Sequence, residues 1–345
     1  MTPLTEGLAL HIGLNEIDPR SYDGWNGRLD AGENDALAMA ELTESLGYET
    51  TTLLSHQATA EAVLEAIRDA ADRIPVNGIV VITYAGHGGQ FEDLGDDEED
   101  RRDETWLLYD REVLDDEIRD ALSFFRAGVR VVVLSDSCHS GTVVRGVYER
   151  AYEDLPEVRA AYHRVAATLP TRSRTRGTGA SGPRLRGAPV EVQRRVLRKH
   201  RDQYVEIRRS VPRDATPSAS LILLSGCQDN QESMEIDGHG VFTAALLDHF
   251  ERPEPNQTYR SLHTSISREM PPTQSPGLLT LGPAWQALVE QTPFEIQPPT
   301  TSPSPDAGAH VPSPQPEPTW RFEVDVAEQL SSPERLGRLT IEYRP

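Results

Sequence analysis

A histidine and a cysteine in this sequence could act together as a base and its nucleophile. His87 follows an apolar run at residues 80–84, and Cys138 follows a second apolar run at residues 131–134. A thiol attacks carbonyl groups as its thiolate, and a neighbouring imidazole can take the thiol proton. The alternative is that Cys138 and His87 follow two buried strands and have only a packing role. Gly86 and Gly88 on either side of His87 argue against it, because glycine opens the backbone and fills no core.

The elements around this pair indicate how it could be brought together. Both runs are β-branched and apolar without alternation, which is typical of parallel strands covered on both faces. Ligands bind outside the carboxyl ends of such strands, so His87 and Cys138 are expected side by side at one sheet edge. Alternating strand and helix patterns predict an α/β fold with a mostly parallel central sheet and helices on both faces. The predicted strands are residues 7–14, 48–54, 78–84, 106–109, 129–135 and 221–225, and the predicted helices are residues 34–46, 59–74, 115–125, 241–250 and 259–270.

Two motifs resemble those of the bacterial metacaspase-like members of the caspase family. They are residues 84–88 (YAGHG) and residues 136–141 (DSCHSG). The 51 residues from His87 to Cys138 also match the spacing of caspases, whose His lies about 50 residues before the Cys. The resemblance covers most of residues 6–285 and implies a caspase-like fold and a cysteine endopeptidase. It also implies that the backbone N–H groups of Gly88 and Cys138 form an oxyanion hole.

Asp136 predicts the substrate of such an enzyme. It lies two residues before Cys138, on the same face of the strand end. A carboxylate there disfavours the thiolate unless a cation occupies the space between them, and a substrate arginine would supply one. Asp35 matches the second acidic pocket residue of the family. We therefore expect cleavage of protein substrates after Arg, with Lys as a second candidate, while capping and turn roles are the structural alternatives for Asp35 and Asp136.

A calcium site is a further expectation from the resemblance, although the dyad itself requires no cofactor. The acidic run at residues 92–100 resembles the segment that precedes the metacaspase calcium site, and Asp103, Asp115 and Asp116 match ligand positions there. Calcium takes six to eight oxygen ligands. Arg145 stands in the stretch where a further acidic ligand is expected, and a solvated acidic loop is the alternative.

An insertion at residues 145–216 interrupts the resemblance. It contains two helix-like pieces, residues 148–168 and 190–209, and between them lies an Arg-rich stretch without periodicity, residues 170–187, which is expected to be exposed. We expect a zymogen that is activated by cleavage in this stretch, by the enzyme itself or by an upstream protease, and an insertion without a role is the alternative. The candidate cleavage residues are Arg172, Arg174, Arg176, Arg184 and Arg186.

The domain expectation is a peptidase domain at residues 1–290, with the insertion inside it. A Pro/Ser/Thr-rich linker at residues 291–318 and a short β-rich C-terminal segment at residues 319–345 follow it.

Composition and charge argue against some classes of binding partner. The net charge is −21, although residues 159–213 hold 15 Arg or Lys against three acidic residues. An acidic body argues against nucleic-acid binding. No apolar run is long enough to span a membrane, no secretory signal is visible, and two cysteines suit a reducing compartment. We therefore expect a cytoplasmic protein without a nucleic-acid or membrane partner, and the resemblance implies a setting in cell death or antiviral defence.

Other uses of the same residues remain open at this point. His139 is a rival base, but adjacent residues of an extended turn point apart, which favours His87. Zinc binding by Cys138, His139, Cys227 and His239 matches no zinc spacing. A caspase-fold scaffold that binds peptides without cutting them is the alternative function, and acyl transfer by the same thiol is a third.

Overall fold

The computed structural model describes residues 6–92, 102–138, 184–212, 217–227, 233–236, 238–271, 274–297, 320–327 and 336–343. The chain divides into two compact units. The large unit contains the described residues up to 297, and the described part of the small unit is residues 320–327 and 336–343.

The strands that the structure describes are β1 (Gly7–Gly13), β2 (Glu49–Leu54), β3 (Ile79–Ala85), β4 (Gly88–Glu92), β5 (Arg102–Leu107), β6 (Glu112–Leu114), β7 (Arg130–Asp136), β8 (Arg184–Leu185), β9 (Ser220–Ser225), β10 (Met234–Ile236), β11 (His239–Gly240), β12 (Gly277–Leu281), β13 (Trp320–Ala327) and β14 (Leu336–Tyr343). The described helices are α1 (Gly32–Ser45), α2 (Ala60–Arg73), α3 (Asp115–Ser123), α4 (Val190–Ser210), α5 (Val241–Glu251), α6 (Tyr259–Glu269) and α7 (Trp285–Val289).

A six-stranded sheet in the order β12-β9-β7-β3-β1-β2 forms the centre of the large unit. All neighbouring strands are parallel except β12, which runs antiparallel to β9 at the edge. Every residue of β1, β3 and β7 is buried, as expected for apolar strands that are covered on both faces. The predicted fold class, a mostly parallel sheet between helices, is confirmed.

Two apolar layers cover the two faces of the sheet. Helices α2, α3 and α4 contribute to one layer through residues such as Ile67, Ile118 and Val196. Helices α1, α5 and α6 contribute to the other, with Met39 and Leu262 among its buried residues. Helix α4 matches the second helix-like piece that the sequence predicts in the insertion, and residues 148–168 lie outside the described residues.

The register of β3 and β7 positions the candidate dyad. Ala85 pairs with Asp136 at the carboxyl ends of the two strands, and His87 and Cys138 follow each of them by two residues. Two small antiparallel sheets stand near these ends, β4-β5-β6 and β11-β10-β8. The sequence predicts a strand at residues 106–109, whereas β5 spans Arg102–Leu107. The other strands of these two sheets were not predicted, because they are short and several are not apolar.

The small unit has a simple described structure. Strands β13 and β14 pair antiparallel over eight residues each, from Trp320 opposite Tyr343 to Ala327 opposite Leu336. This pair agrees with the β-rich segment that the sequence predicts at residues 319–345, whereas the predicted domain boundaries stay a prediction. Among the described helices, none combines the length and the apolar character that crossing a membrane requires.

Candidate active site

Cys138 lies two residues beyond the end of β7 and is fully buried. Its Sγ accepts a hydrogen bond from the backbone N–H of Ser233 at 3.0 Å. The turn packs so closely on the start of β4 that a Cβ atom at Gly88 would overlap the carbonyl oxygen of Cys138. Only glycine tolerates such a close approach of two backbones. The cysteine turn and the histidine turn are therefore in direct contact.

The imidazole of His87 is oriented by a backbone carbonyl. Its Nε2 lies 2.9 Å from the carbonyl oxygen of Gly27, which can only accept, so the ring proton is on Nε2. The ring of Trp25 lies 4.8 Å from the imidazole, centroid to centroid. Among the described residues, the buried Nδ1 has no hydrogen-bond partner. This tautomer leaves Nδ1 with its lone pair and able to accept a proton.

Burial also sets the charge of His87. Desolvation lowers the pKa of His87 to about 4, and the backbone groups of Gly27 and Arg186 offset only part of that effect. The imidazole is therefore neutral near pH 7, which is the form a general base needs.

A segment of the chain itself crosses the site as an extended strand. Strand β8 pairs antiparallel with β10, and the N–H of Arg186 continues this pairing by donating to the carbonyl of Ser233 at 2.9 Å. On its other side the segment bonds to β4. The N–H of Gly88 donates to the carbonyl of Arg186 at 3.0 Å, and the N–H of Ala188 donates to the carbonyl of Gly88 at 3.0 Å.

The side chain of Arg186 is fully buried in a pocket of carboxylates. Its Nη2 lies 2.5 Å from Oδ2 of Asp35 and 3.8 Å from Oε2 of Glu235. Its Nη1 lies 3.2 Å from Oδ2 of Asp136 and donates to the carbonyl oxygen of Asp136 at 2.8 Å. Burial alone would lower the pKa of Arg186, but the charges of Asp136 and Asp35 outweigh it and raise the pKa overall.

Neighbouring donors fix the three carboxylates. Asp136 accepts from the hydroxyl groups of Ser233 and Thr243, at 2.5 and 2.7 Å. Asp35 accepts from the N–H of Gly240 and contacts Nδ1 of His239 at 2.9 Å. Glu235 accepts from the backbone N–H groups of residues 30 and 31 at 2.8 and 3.2 Å. Buried carboxylates with several donors are held in one orientation, so the pocket is preorganised for a planar cation.

The predicted site residues are thus largely brought together. Arg186 contacts Gly88, Asp35 and Asp136. His87 adjoins Gly88, and the backbone N–H and carbonyl of Ser233 bond to Cys138 and Arg186 respectively. The expected exposure of the Arg-rich stretch is wrong at Arg186, because the acidic pocket compensates the cost of burying its charge. The remaining candidates that lie outside the described residues are Arg172, Arg174, Arg176, His139 and the side chain of Arg184.

The sequence analysis did not predict the part that four residues take in this site. Gly27 contributes a backbone carbonyl, and Ser233 contributes backbone atoms and a hydroxyl, which no local residue pattern signals. Glu235 and His239 lie some two hundred residues from Asp35 in sequence, and no local pattern distinguishes them. Their short strands, β10 and β11, bring them to the pocket.

Cys227 is a wall residue of this region. It is fully buried, and its Sγ donates to the carbonyl oxygen of Ser137 at 3.3 Å. The structure gives no support to the zinc alternative at the described residues. Within the described ranges, no three His, Cys, Asp or Glu side chains are placed to hold a metal ion.

The calcium candidates have other contacts. Asp116 at the start of α3 lies 2.6 Å from Arg119 and 3.7 Å from Nε of Arg208 on α4. Asp115 accepts from the N–H of Asp116 at 2.8 Å. The side chain of Asp103 lies outside the described residues. With two guanidinium groups beside it, Asp116 does not fit a calcium ligand in this arrangement. Calcium binding stays a prediction, and the proposed reaction does not use it.

Known proteins resemble this chain over most of its length. A family model described as the caspase domain matches residues 6–297. Metacaspase-1 of Saccharomyces cerevisiae (strain ATCC 204508 / S288c) is 28% identical in an alignment of 287 positions that covers 76% of this chain and 63% of the relative. Metacaspase-1A of Aspergillus clavatus is 30% identical in an alignment of 295 positions that covers 78% of this chain and 65% of the relative.

A solved structure resembles the chain as well. The crystal structure of protein GSU0716 from Geobacter sulfurreducens has a TM-score of 0.67 and 39% sequence identity, and the match covers 84% of this chain and 98% of that one. The chain spans less than two thirds of the length of the curated fungal metacaspases described above. The family model covers most of the chain, and the predicted resemblance to metacaspases is confirmed: the chain belongs to the caspase family.

Proposed function

We propose that this chain is a cysteine endopeptidase that cleaves after arginine, and that its own Arg186–Gly187 bond occupies the substrate position. One observation carries the proposal, namely that Arg186 meets the site at both of its ends. Its guanidinium contacts Asp35 and Asp136, while its carbonyl oxygen accepts the N–H of Gly88. A residue that packed only for stability would need the first contact but not the second.

The geometry supports an acyl-transfer sequence. Nδ1 of His87 takes the proton of Cys138, and the thiolate attacks the carbonyl carbon of the arginine, forming a C–S bond. The N–H of Gly88 donates to the oxygen that becomes negative. His87 then gives its proton to the leaving amine as the C–N bond breaks, and water hydrolyses the thioester. Each partner already lies in one cluster, which lowers the entropic cost of the first step.

The pocket favours arginine over other side chains. Three buried carboxylates without a cation would repel one another, so an arginine that enters them gains charge pairing on several sides. Both terminal nitrogens of Arg186 are used, one towards Asp35 and the other towards Asp136. A lysine ammonium is a point charge and cannot satisfy both directions at once.

The uncut chain is then a zymogen. A fully buried Arg186 excludes the arginine of any other substrate from the pocket. Cleavage of the bond after Arg186 separates β8 from residues 187–189, and the severed strand can then leave β10. Protein substrates with an arginine at the cleaved position become the partners of the opened site.

The alternative is a scaffold that holds an arginyl segment without cutting it. The same pocket contacts would serve that role, but the hydrogen bond from the N–H of Gly88 to the carbonyl oxygen of Arg186 would then have no catalytic use. This difference makes turnover the measurement that separates the two functions.

The test is the fate of the Arg186–Gly187 bond in purified protein. We expect the chain to yield a fragment that begins Gly-Ala-Pro-Val, at a rate per molecule that does not depend on protein concentration. Cys138→Ala and Arg186→Gln should both stay uncut at this bond. Arg194→Gln is the matched control, because the side chain of Arg194 is exposed on α4 and contacts the exposed side chain of Glu191.

Two results would contradict the proposal. A chain that alkylates at Cys138 but cuts neither itself nor an arginyl peptide favours the scaffold. Cleavage by Arg186→Gln at the same bond would show that the pocket does not read the arginine. If cleavage at this bond requires an added protease, the proposed arginine specificity of the enzyme still holds, and an upstream protease activates the zymogen.

A further inference from the structure

The peptide unit between His87 and Gly88 is held at both of its ends. Its N–H donates to the carbonyl oxygen of Arg186. Its carbonyl oxygen accepts from the hydroxyl of Tyr84 at 2.6 Å and from the N–H of Leu107 at 3.0 Å. A peptide unit is planar, so whatever fixes the carbonyl also fixes the direction of the N–H.

We propose that Tyr84 is a positioning residue for catalysis, whose hydroxyl holds and polarises the peptide unit that stabilises the transition state through the N–H of Gly88. The inference rests on the proposed peptidase activity. A hydrogen bond to the carbonyl of a peptide makes its N–H a stronger donor, because bonds in a chain polarise one another. The stronger donor matters most when the substrate oxygen carries a negative charge.

The hydroxyl of Tyr84 is built into this role by its surroundings. The side chain is almost fully buried, and burial raises the pKa of Tyr84 well above its usual value, so the hydroxyl keeps its proton. A Cβ atom at Gly86 would lie 2.7 Å from the hydroxyl oxygen, which explains why glycine precedes the histidine. The hydroxyl also lies 3.0 Å from the carbonyl oxygen of Leu107, but its single proton favours the shorter contact with His87.

The aromatic ring connects the two catalytic turns. It stacks on Trp106 with a centroid distance of 4.5 Å and an angle of 11°. The indole N–H of Trp106 donates to the hydroxyl of Ser135 at 3.1 Å, and Ser135 lies on the strand that leads to Cys138. One buried layer therefore supports both the oxyanion donor and the nucleophile.

The kinetic consequence is specific. Removal of the hydroxyl leaves the pocket, the thiol and the imidazole in place, so substrate binding should change little. The oxyanion forms only when the thiolate attacks the substrate carbonyl, so weaker stabilisation of the oxyanion lowers kcat. We expect Tyr84→Phe to lower kcat for an arginyl peptide about tenfold, with KM within twofold of the self-cleaved wild type.

Tyr22→Phe is the matched control. Tyr22 is fully buried in the same apolar layer, and its hydroxyl donates to a backbone carbonyl, that of Leu108, also at 2.6 Å. Both variants lose one buried hydroxyl, and both should melt at a lower temperature. Only Tyr84→Phe should lose kcat.

Two probes of Cys138 separate the oxyanion from a general loosening of the site. Iodoacetamide alkylates the thiol without forming an oxyanion, and its rate should be the same in both variants and in the wild type. The thiol adds to the carbonyl group of a peptidyl-arginine aldehyde and forms a hemithioacetal, whose oxygen then lies near the N–H of Gly88. Its affinity should fall about tenfold in Tyr84→Phe alone.

The outcomes decide between the claims. If Tyr84→Phe does not fold, 3-fluorotyrosine at position 84 keeps the ring and provides a more acidic donor, and it should retain or raise kcat. An unchanged kcat in Tyr84→Phe, a lower kcat with 3-fluorotyrosine, or an equal loss in Tyr22→Phe would overturn the inference while the wild type still cleaves. A wild type that cleaves no arginyl peptide would overturn the proposed function, and the role of Tyr84 with it.

Discussion

The backbone N–H of Gly88 donates a hydrogen bond to the carbonyl oxygen of Arg186, at a distance of 3.0 Å. The residue after the candidate base thus holds the carbonyl of the residue that fills the acidic pocket. This contact distinguishes a substrate-like segment from an ordinary ion pair. It is also the reason that we propose the Arg186–Gly187 bond as the cleavage site.

The pocket carboxylates should determine activity on arginyl peptides. Asp35→Asn and Asp136→Asn each leave a buried guanidinium without one charged partner, at a cost of roughly 2–5 kcal/mol. We expect kcat/KM for arginyl peptides to fall about 30-fold or more in each, measured on protein that has been cut at position 186. Glu235→Gln should have a smaller effect, because Glu235 lies 3.8 Å from the guanidinium.

A peptide with a neutral residue at the cleaved position is the control for these variants. Its slow cleavage should be unaffected by the charge of the pocket. Equal losses for neutral and arginyl peptides would show that the carboxylates maintain the turn and do not read the substrate.

Lysine should be a poor substitute for arginine. Arg186 directs one terminal nitrogen to Asp35 and the other to Asp136, which a single ammonium cannot do. We expect kcat/KM for a lysyl peptide to be at least about tenfold below that for the matched arginyl peptide, and Arg186→Lys to slow self-cleavage likewise. Similar rates for the two peptides would contradict a pocket that recognises the guanidinium.

His239 should make arginine binding depend on pH. Its hydrogen bond to Asp35 raises the pKa of His239, whereas the charge of Arg186 lowers it. By linkage, protonated His239 weakens the binding of arginine, so KM for arginyl peptides should decrease as the pH rises through that pKa. The effect should be about twofold to threefold, because His239 is partly exposed and screened by solvent. His239→Gln should show a flat KM between pH 6 and 9, and a persisting slope would assign the effect to another group.

Glu112 should make the stability of the fold depend on pH. The group is fully buried, and burial raises the pKa of Glu112 to about 8, while its hydrogen bond from Thr105 opposes this only in part. The folded chain then binds a proton that the unfolded chain releases above its ordinary pKa of 4.5. The stabilisation from this proton is present below pH 4.5 and is lost as the pH rises through 8.

Glu112→Gln tests this sign. The amide cannot ionise, so the variant should lose less stability between pH 5 and pH 9 than the wild type, by a few kcal/mol in urea unfolding. Parallel pH profiles for the two proteins would show that Glu112 keeps an ordinary pKa.

The two cysteines should differ in their importance. Cys138→Ala should abolish cleavage without unfolding the chain, since a methyl group replaces a small buried thiol. Cys227→Ala should keep substantial activity, because Cys227 takes no part in the proposed reaction and its thiol donates to the carbonyl of Ser137. Turnover above background by Cys138→Ala, measured with a fluorogenic arginyl peptide, would exclude Cys138 as the nucleophile.

The sequence by itself determined the sheet and the reactive pair. The runs before His87 and Cys138 are mostly apolar and β-branched, so local composition indicates buried parallel strands, and parallel strands end at one edge. The periodicity of residues 59–74 likewise predicted helix α2, which begins at Ala60 after the N-cap Thr59. Asp136 was predictable because it lies at the end of its strand, two residues before Cys138.

Only the tertiary structure decided how the pocket is completed and what fills it. Glu235 and His239 reach the site through the short strands β10 and β11, and Ser233 directly precedes β10. The pairing of these strands depends on distant parts of the chain. The Arg-rich stretch has no periodicity, so its composition predicted exposure along its whole length. Arg186 is buried nevertheless, because three carboxylates from separate elements surround its charge, and a sequence pattern contains no information on such convergence.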